Sequence, residues 1–256
     1  MTASPDSVST NKIAGTNPLH QQIQQAQRCV VVLGGSFDPV HLGHVALAKR
    51  FITLLEPQEL RVVPAGNPWQ KKGLIASAEQ RCAMLELAFA ELNTCKLTID
   101  QQEIQRARHQ RATYTVDTLR ALRAEYGDKT SIVFLIGADQ LQNLSSWHQW
   151  QHLFDLAHLC AASRPGFQLE QTNSPQAVMS VAQQTQQQVL QKFKQGAATP
   201  EQIRNTPAGR TYLAEDLLVD ISATQIRDDL QHGQLTTSLV PRKVLDYIQQ
   251  HHIYEK

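Results

Sequence analysis

The sequence has no block of basic residues and almost no net charge. Its 24 Lys and Arg residues and 23 Asp and Glu residues leave a formal charge of +1, and the basic residues are spread along the chain. Proteins that bind nucleic acid or a membrane surface through charge carry a clustered basic patch. The sequence therefore predicts neither of these partners, and we expect any bound anion to be met by local groups.

Long apolar runs and paired cysteines are also missing. No stretch approaches the about 18 apolar residues of a transmembrane helix, and residues 1–27 lack the apolar core of a secretory signal. The four cysteines, at positions 29, 82, 95 and 160, form no CxxC pair and mostly lie in apolar segments. We therefore expect buried free thiols in a soluble protein of the reducing cytoplasm.

From position 28 onward, apolar strands alternate with amphipathic helices. The pattern predicts strands at 29–33, 60–64, 97–99, 131–136, 159–162 and 217–221, and helices at 40–55, 77–92, 114–126, 222–230 and 241–250. The first strand is apolar at every position, which is typical of a strand buried on both faces. Such alternation predicts an α/β fold, a Rossmann-like parallel sheet with helices on both faces.

Two segments depart from this rhythm. Residues 1–27 are rich in Ser, Thr, Asn and Gln, a composition that predicts a disordered N-terminal leader. A Gln-rich stretch around 168–209 places Val178, Val181, Ala182, Val189 and Phe193 roughly on one helical face, which predicts a peripheral helix bounded by loops. We therefore predict a leader followed by a single domain over 28–256, with the Gln-rich segment as a helical insertion.

The residues after the first predicted strand fit a phosphate site. Gly34 and Gly35 allow a phosphate to approach the backbone, and the following helix offers unpaired N–H groups at its start. His41 and His44 are three residues apart and share one helical face, so both imidazoles can reach the same phosphates. A zinc pair would need further ligands that no Cys or His cluster supplies. Two ordinary surface histidines would leave the glycines and the intervening turn unexplained.

Two motifs carry a family resemblance. The segment from Gly35 to His44, GSFDPVHLGH, closely resembles the GxFDPxHxGH signature of the HxGH nucleotidyltransferases. The segment from Ile221 to Arg227, ISATQIR, is similar to the second signature of that superfamily, a Ser/Thr-rich turn followed by Ile-Arg. Considered alone, the second segment is a routine capped helix with an arginine suited to a phosphate. Its pairing with the first motif raises its significance.

Three internal segments narrow the resemblance to bacterial nicotinate-nucleotide adenylyltransferases. Thr113 to Leu119 is similar to the S/TYTxxTL motif of that family, and Ile136 to Asp139 to its IGxD motif. Trp147 follows where the family has a tryptophan that stacks on the pyridine ring. The resemblance covers roughly residues 29–254. It implies transfer of the adenylyl group of ATP to nicotinate mononucleotide, which gives deamido-NAD and pyrophosphate in NAD biosynthesis.

The resemblance also implies a role for each matched residue. Catalysis is expected from His41, His44 and Arg227, which neutralise the leaving pyrophosphate together with Mg²⁺ carried by ATP, with no metal ligand from the protein. The expected ATP-binding residues are Gly34, Gly35, Ser36, Phe37, His41, His44, Gly137, Asp139, Ser222, Thr224 and Arg227. The expected nicotinate mononucleotide-binding residues are Asn67, Lys71, Thr113, Tyr114, Thr115, Trp147, His148 and Arg164. ATP and nicotinate mononucleotide are thus the expected partners, and the sequence leaves a homo-oligomer open.

Some of these residues have a second interpretation. Tyr114 also suits a core position, Asp139 a helix cap after a strand, and Trp147 a packing position beside Trp150. The family's usual Pro-Pro-His followed by Lys or Arg is replaced by NPWQKK at 67–72, so that a glutamine stands in place of the histidine. The roles of the neighbouring Asn and Lys residues therefore depend on the alignment.

Two other functions compete with this one. Phosphopantetheine adenylyltransferases share both outer motifs, but they are usually shorter and lack the Thr-Tyr-Thr segment and Trp147. A nucleotide sensor could keep the fold without turnover. Such a sensor could lose the residues that serve only the transition state, whereas His41, His44 and Arg227 are all present.

Overall fold

The computed structural model describes residues 27–66, 73–163, 180–217, 221–234 and 237–255. Within these ranges six strands form one sheet. They are β1 (Cys29–Gly35), β2 (Glu59–Pro64), β3 (Lys96–Ile99), β4 (Ser131–Gly137), β5 (His158–Ala162) and β6 (Thr211–Ala214). The helices are α1 (Leu42–Leu55), α2 (Ala78–Ala88), α3 (Gln102–Arg108), α4 (Thr115–Tyr126), α5 (Ala138–Gln142), α6 (Trp150–Leu156), α7 (Val181–Gln195), α8 (Pro200–Arg204), α9 (Ala223–Gln231) and α10 (Arg242–Gln250).

The strand order is β3-β2-β1-β4-β5-β6, and every neighbouring pair is parallel. The order reverses between β1 and β4, where the chain leaves the first half of the sheet to build the second. In doubly wound sheets this reversal opens a crevice at the carboxyl ends of the two central strands. The Rossmann-like fold predicted from the alternation of strands and helices is confirmed.

Side chains of β1 alternate between two hydrophobic cores. Val31 and Leu33 pack on the face covered by α1, α2 and α10, whereas Val30 and Val32 pack on the face covered by α4, α6 and α7. A strand with both faces buried must be apolar at every position, as this one is. Three of the four free thiols are buried and that of Cys95 is half-buried, close to the expectation.

The sixth strand was placed wrongly. It lies at Thr211–Ala214 rather than at 217–221, since Leu217 and Ile221 are outside any strand and 218–220 are outside the described residues. Thr211 pairs with Leu159 of β5, is fully buried, and donates its hydroxyl hydrogen bond to the carbonyl of Phe193. A short edge strand held by such contacts carries little apolar signal. The more hydrophobic run that follows it supplies cavity-lining residues instead.

Other differences concern helices. Four short ones, α3, α5, α6 and α8, were not predicted, and α2 ends at Ala88 rather than near 92. Of the five residues predicted to share one face of the Gln-rich helix, Val189 and Phe193 are buried, Val181 (78% exposed) and Ala182 are exposed, and Val178 lies outside the described residues. Residues 1–26 and 164–179 lie outside the described ranges, so the leader and the first part of the insertion stay predictions. None of the helices in the described ranges is long and apolar enough to cross a membrane.

Candidate active site

A cavity of about 470 Å³ lies at the reversal of the strand order. Its floor is formed by the ends of three neighbouring strands, with Gly34 and Gly35 of β1, Ile136 and Gly137 of β4, and Ala162 of β5. The loops that follow these strands form the walls. The cavity therefore occupies the crevice in which doubly wound sheets bind nucleotides.

The turn after β1 is shaped by close packing. A Cβ atom on Gly34 would lie 3.1 Å from the ring of Phe134 on β4, closer than a relaxed contact, so glycine brings the two central strands together at the cavity. Phe37 has a left-handed backbone with φ of 49° and is fully buried. Its side chain supports the turn from the core and is not among the cavity-lining residues, unlike Ser36.

The two histidines of the motif stack on each other at the start of α1. Their ring centroids are 3.7 Å apart with an angle of 28° between the planes, and both residues line the cavity. His41 is the N-cap residue rather than part of the first helical turn, and its backbone N–H donates to Nδ1 of His44 at 3.2 Å. Because Nδ1 accepts, a neutral His44 ring carries its proton on Nε2 and has a donor for a phosphate.

Asp38 joins the turn to two distant parts of the chain. Its buried carboxylate accepts from the backbone N–H groups of Ile75 at 2.9 Å and Ala76 at 3.0 Å. It also accepts from the hydroxyl of Tyr254 at 2.7 Å. Buried Arg81 donates to the carbonyl of Ser36 at 2.8 Å on the other side of the turn. These groups were not predicted as part of the site, and the acidic residue inside the first motif was their only sequence signal.

Burial shifts the pKa of the Arg81 guanidinium down, and the nearby carboxylate of Asp38 opposes that shift. An arginine stays charged under these conditions, because its ordinary pKa is far above neutrality. The buried carboxylate therefore has a cationic neighbour as well as three hydrogen-bond donors. This arrangement offsets the desolvation of both charges and holds the turn in one conformation.

The second motif reaches the first through Arg227. Its Nη1 donates to the carbonyl of Asp38 at 2.7 Å, and its Nη2 donates to Oγ1 of Thr224 at 3.3 Å. Ser222 and Thr224 line the cavity beside the histidines. Ser222 is the N-cap residue of α9, but its hydroxyl makes no capping hydrogen bond, so the prediction of a hydroxyl cap is wrong. Arg227 is half-buried behind this wall and is not itself among the cavity-lining residues.

Aromatic and hydroxyl side chains form the opposite wall. Thr113, Thr115 and Trp147 line the cavity, and Trp147 meets the ring of Phe134 edge to face with centroids 6.3 Å apart. Tyr114 stacks on His148 at 4.2 Å with an angle of 25°, beside the cavity rather than among its lining residues. Indole Nε1 of Trp147 is buried and has no hydrogen-bond partner within the described ranges.

Trp147 and Trp150 have different surroundings. Trp150 is buried against Phe154 in the core, whereas Trp147 lies in the cavity wall and also packs on Phe134. The core interpretation therefore applies to the second tryptophan. Tyr114 is half-buried and packs at the edge of the second core, which is the position its alternative interpretation suggested.

Several predicted site residues belong to parts of the chain that the structure does not describe. Asn67, Lys71 and Arg164 lie outside the described residues, and the side chain of Asp139, in the first turn of α5, does too. Gly137, just before it, lines the cavity. Within the described ranges no group of three or more His, Cys, Asp or Glu residues could hold a metal ion.

One charged residue of the cavity wall was missed altogether. Glu103 of α3 is 8% exposed, lines the cavity and accepts a hydrogen bond from Oγ1 of Thr118 at 2.7 Å. Burial raises the pKa of this carboxyl to about 7, while the hydrogen bond from Thr118 and the charge of Arg106 act in the opposite direction. The sequence gives no sign of it, because α3 is polar and shows no apolar period.

Sequence comparisons agree with this geometry. Residues 32–229 match the model of the cytidylyltransferase-like family. The chain is 56% identical over 235 residues to a protein of Herminiimonas arsenicoxydans named as a probable nicotinate-nucleotide adenylyltransferase, covering 91% of this chain and 100% of that one. It is 36% identical over 223 residues to the nicotinate-nucleotide adenylyltransferase of Salmonella typhimurium, covering 87% and 97% of the two chains.

Solved structures share the fold. The nicotinic acid mononucleotide adenylyltransferase of Plasmodium falciparum, complexed with NaAD, superposes with a TM-score of 0.66 at 18% identity, covering 89% of this chain and 98% of that one. The same enzyme complexed with APC gives a TM-score of 0.64 at 17% identity, with the same coverage. At such identities the likeness concerns the fold, and the sequence relatives carry the finer assignment. The chain belongs to the cytidylyltransferase-like family and, within it, to the nicotinate-nucleotide adenylyltransferases.

Proposed function

We propose that this chain joins ATP and nicotinate mononucleotide in the cavity above β1 and β4. The observation that carries the proposal is that one cavity is lined by both signature segments and by the segment specific to the acceptor. The donor side consists of Gly34, Gly35, Ser36, His41, His44, Ser222 and Thr224. The acceptor side consists of Glu103, Thr113, Thr115, Thr118, Phe134 and Trp147.

The reaction needs an anionic nucleophile and a leaving group in line with it. A phosphate oxygen of nicotinate mononucleotide attacks the α-phosphorus of ATP, a new P–O bond forms, and the bond to the β-phosphate breaks to release pyrophosphate. The attacking oxygen is already ionised at neutral pH, so no side chain has to remove a proton. Catalysis then consists of holding the two phosphates together and stabilising the charge that builds up.

The histidine pair is placed for the second task. His41 and His44 lie at the N-terminus of α1, where the helix adds partial positive charge to that of any protonated imidazole. We propose that both rings stabilise the negative charge that develops on the leaving pyrophosphate. Arg227 holds the turn through the carbonyl of Asp38, and contact of its guanidinium with phosphate would require it to turn toward the cavity.

The remaining site residues would bind and orient the substrates. Hydroxyls of Ser222 and Thr224 and the backbone at Gly34 and Gly35 are suited to the phosphates and ribose of ATP, together with Gly137 and Asp139. On the acceptor side Trp147 offers a plate for the pyridine ring, with Thr113, Thr115, Tyr114 and His148 around it. Asn67, Lys71 and Arg164 are proposed as further contacts of nicotinate mononucleotide on the strength of the family motifs.

A divalent cation fits this site only when it is bound to the phosphates of the nucleotide. In the described ranges the donor side holds imidazoles, hydroxyls and backbone groups, without the carboxylates that Mg²⁺ prefers. We therefore propose that Mg²⁺ enters bound to the phosphates of ATP, where it supplies charge neutralisation for the leaving group. The protein's own share is the donor side described above.

Release of pyrophosphate from ATP tests the assignment directly. The purified chain is given ATP and Mg²⁺ with nicotinate mononucleotide, nicotinamide mononucleotide or phosphopantetheine in turn. We expect release with the first at the highest kcat/KM. Turnover with phosphopantetheine alone would assign the chain to another adenylyltransferase. Binding of ATP and mononucleotide without release would indicate a sensor.

A further inference from the structure

A carboxyl group in the wall of a cavity for two nucleotides is unexpected. Both substrates bring phosphates, and a buried carboxylate repels them. Among the described residues that line the cavity, Glu103 is the one with an acidic side chain. It is 8% exposed, so its charge is poorly hydrated. A residue of this kind costs free energy unless hydrogen bonds or opposite charges compensate for it. A buried carboxyl with a shifted pKa in a cavity is therefore a candidate ligand-binding group.

The orientation of Glu103 is fixed by its neighbours. Oε1 accepts from the hydroxyl of Thr118 at 2.7 Å, and the same hydroxyl accepts from Nη2 of Arg106, which lies 4.0 Å from Oε1. Nη1 of Arg106 in turn donates to Gln102 at 2.9 Å. The guanidinium of Arg106 can only donate, so the Thr118 hydroxyl accepts from it and uses its single proton to donate to Glu103. The carboxyl is therefore held in place before any ligand arrives.

The end of β2 packs directly against this residue. A Cβ atom on Gly66 would lie 2.1 Å from the carbonyl oxygen of Glu103, so only glycine allows the two segments to approach so closely. The backbone of Gly66 also acts to lower the pKa of the Glu103 carboxyl. Val63 and Ala65, just before it, line the cavity as well. The carboxyl thus lies in the acceptor side, between the end of β2 and the hydroxyls of α4.

The groups around Glu103 leave the neutral and ionised forms of its carboxyl close in free energy near neutral pH. The pKa of Glu103 is raised to about 7, mainly by burial and in smaller part by nearby Asp100. Thr118, Arg106 and the backbone of Gly66 act in the opposite direction, and the carboxyl interacts electrostatically with Arg81 of α2. An additional hydrogen-bond donor from a ligand would favour the ionised form. The geometry already described supplies the place for such a donor, and the pKa agrees with it.

We propose that Glu103 binds the ribose hydroxyls of the acceptor mononucleotide, an inference that rests on the proposed function. At neutral pH these hydroxyls are the groups of that substrate that can donate a hydrogen bond to a carboxylate, since its carboxylate and phosphate mainly accept. The ribose must lie between the phosphate, which reaches the histidine pair, and the ring, which is assigned to Trp147. Glu103 lines the same cavity as the histidine pair and Trp147, and its carboxylate keeps acceptor capacity beyond the bond from Thr118.

The test compares three acceptors in three proteins. Steady-state kinetics are measured with nicotinate mononucleotide and with its 2′-deoxy and 3′-deoxy analogues, using the unmodified chain, Glu103→Gln and Glu103→Ala. For the full acceptor we expect KM to rise about 10- to 100-fold in the alanine variant, with kcat and the KM for ATP each changed by less than about threefold. In the unmodified chain at least one deoxy analogue should show a KM about 10-fold or more above the parent.

The decisive quantity is the deoxy penalty, by which we mean the factor by which KM rises when a deoxy analogue replaces nicotinate mononucleotide. It is compared between the variant and the unmodified chain. If the ribose donates to Glu103, the penalty falls to less than about twofold in Glu103→Ala. In that variant the ribose hydroxyl has already lost its charged partner, so removing the hydroxyl costs little more. A penalty equal to that of the unmodified chain for both analogues, or a parallel rise in the KM for ATP, would overturn the proposal. Should the alanine variant not fold, Glu103→Gln decides, since it keeps the shape and must lower the penalty at least about threefold.

A matched control removes the same charge outside the cavity. Glu125 lies on α4, like Thr118, but its side chain is 51% exposed and pairs with Arg61. Glu125→Gln should leave every KM and the deoxy penalty unchanged. An equal change in this variant would mean that charge alone, and not a ribose contact, controls acceptor binding, which contradicts the proposal. If the unmodified chain showed no activity with nicotinate mononucleotide, the proposed function would be overturned, and this inference with it.

Discussion

The two sides of the cavity are held in place differently. Most of the donor side belongs to one turn and the start of α1, and Ser222 and Thr224 of the second motif complete it. Asp38 at the centre of the turn has four hydrogen-bond partners: two backbone N–H groups, the Tyr254 hydroxyl and, through its carbonyl, Arg227. These bonds join the turn to the start of α2, to α9 and to the C-terminal segment. The contacts are buried or partly buried and pre-formed, as charge stabilisation in the transition state requires.

The acceptor side comes from separate segments that meet only in the fold. Glu103 of α3, Thr115 and Thr118 of α4, and Trp147 each contribute one side chain, and the stack of Tyr114 on His148 lies beside them. One of these groups, the Glu103 carboxyl, titrates near neutrality. The donor side is therefore suited to chemistry common to a superfamily, whereas the acceptor side is suited to the choice of one substrate. The predictions below test this division.

The largest effect is expected on the donor side. His44→Ala should lower kcat about 100- to 1,000-fold, or about 2.7 to 4 kcal/mol of barrier, because one preorganised donor to the developing charge is lost. The KM values for ATP and acceptor should change much less. His152→Ala, which removes a 58% exposed histidine on α6, serves as control and should leave kcat unchanged. Near-normal kcat in His44→Ala, or a protein that only unfolds, would contradict the catalytic assignment.

The contrast between the two sides also explains what the sequence could predict. The donor motif is contiguous, so its strand, glycines and histidine pair could be located from local pattern, and β1 to β5 were found to within about two residues. The links from Asp38 to Tyr254 and from Arg81 to Ser36 could not, because they join positions far apart in the chain.

The acceptor side was only partly predictable. Glu103 was missed because its helix has a polar sequence and too few apolar residues to show a period. β6 was misplaced because Thr211 is buried through pairing and a hydroxyl hydrogen bond, which a hydropathy pattern does not register. The choice of Trp147 over Trp150 came from family resemblance, and no local property of the two tryptophans distinguishes them.

The second prediction concerns pH and the acceptor side. The pKa of Glu103 is raised from its ordinary 4.5 to about 7 in the folded protein, so its contribution to stability is full below about 4.5 and is lost as pH rises through 7. Chemical unfolding of the unmodified chain and of Glu103→Gln, at pH 5 and pH 8, isolates this contribution. The free energy of unfolding of the unmodified chain should fall relative to the variant by about 2 to 3 kcal/mol between the two pH values. A constant difference would place the carboxyl in a hydrated environment.

Substrate choice gives the third prediction. We expect nicotinate mononucleotide to be preferred over its amide by about 10- to 100-fold in kcat/KM, since buried donors that suit a carboxylate would face the N–H groups of the amide. The backbone N–H of Trp147 already donates to Leu144 at 3.0 Å, which leaves that of His148 as the neighbouring candidate. Equal kcat/KM for acid and amide would contradict the acceptor assignment and leave adenylyl transfer itself standing.

Trp147→Ala tests whether stacking on the indole ring contributes to the preference for the acid over the amide. The variant removes the aromatic face, which acid and amide share, so kcat/KM should fall by similar factors for both. The KM for ATP should stay within about twofold, because the indole lies on the acceptor side. A selective loss for one of the two substrates would mean that the tryptophan itself reads the substituent.

The smallest effect is expected from the C-terminal link to the donor side. Tyr254→Phe removes the hydroxyl that donates to Asp38 at 2.7 Å and leaves the buried ring in place. Because the carboxylate keeps its bonds from Ile75 and Ala76, the loss in the free energy of unfolding should be about 1.5 kcal/mol, near the lower end for a bond to a charged group.

Kinetics of the same variant show on which side the link acts. A looser turn misplaces the histidine pair, so kcat should fall several-fold while the KM for nicotinate mononucleotide stays constant. Tyr247→Phe, in α10, is the matched control, since its ring packs on His251 rather than reaching the turn. If Tyr254→Phe raised the acceptor KM and left kcat unchanged, the two sides of the cavity would be coupled through the turn. The division between a fixed donor side and a separately assembled acceptor side would then be wrong.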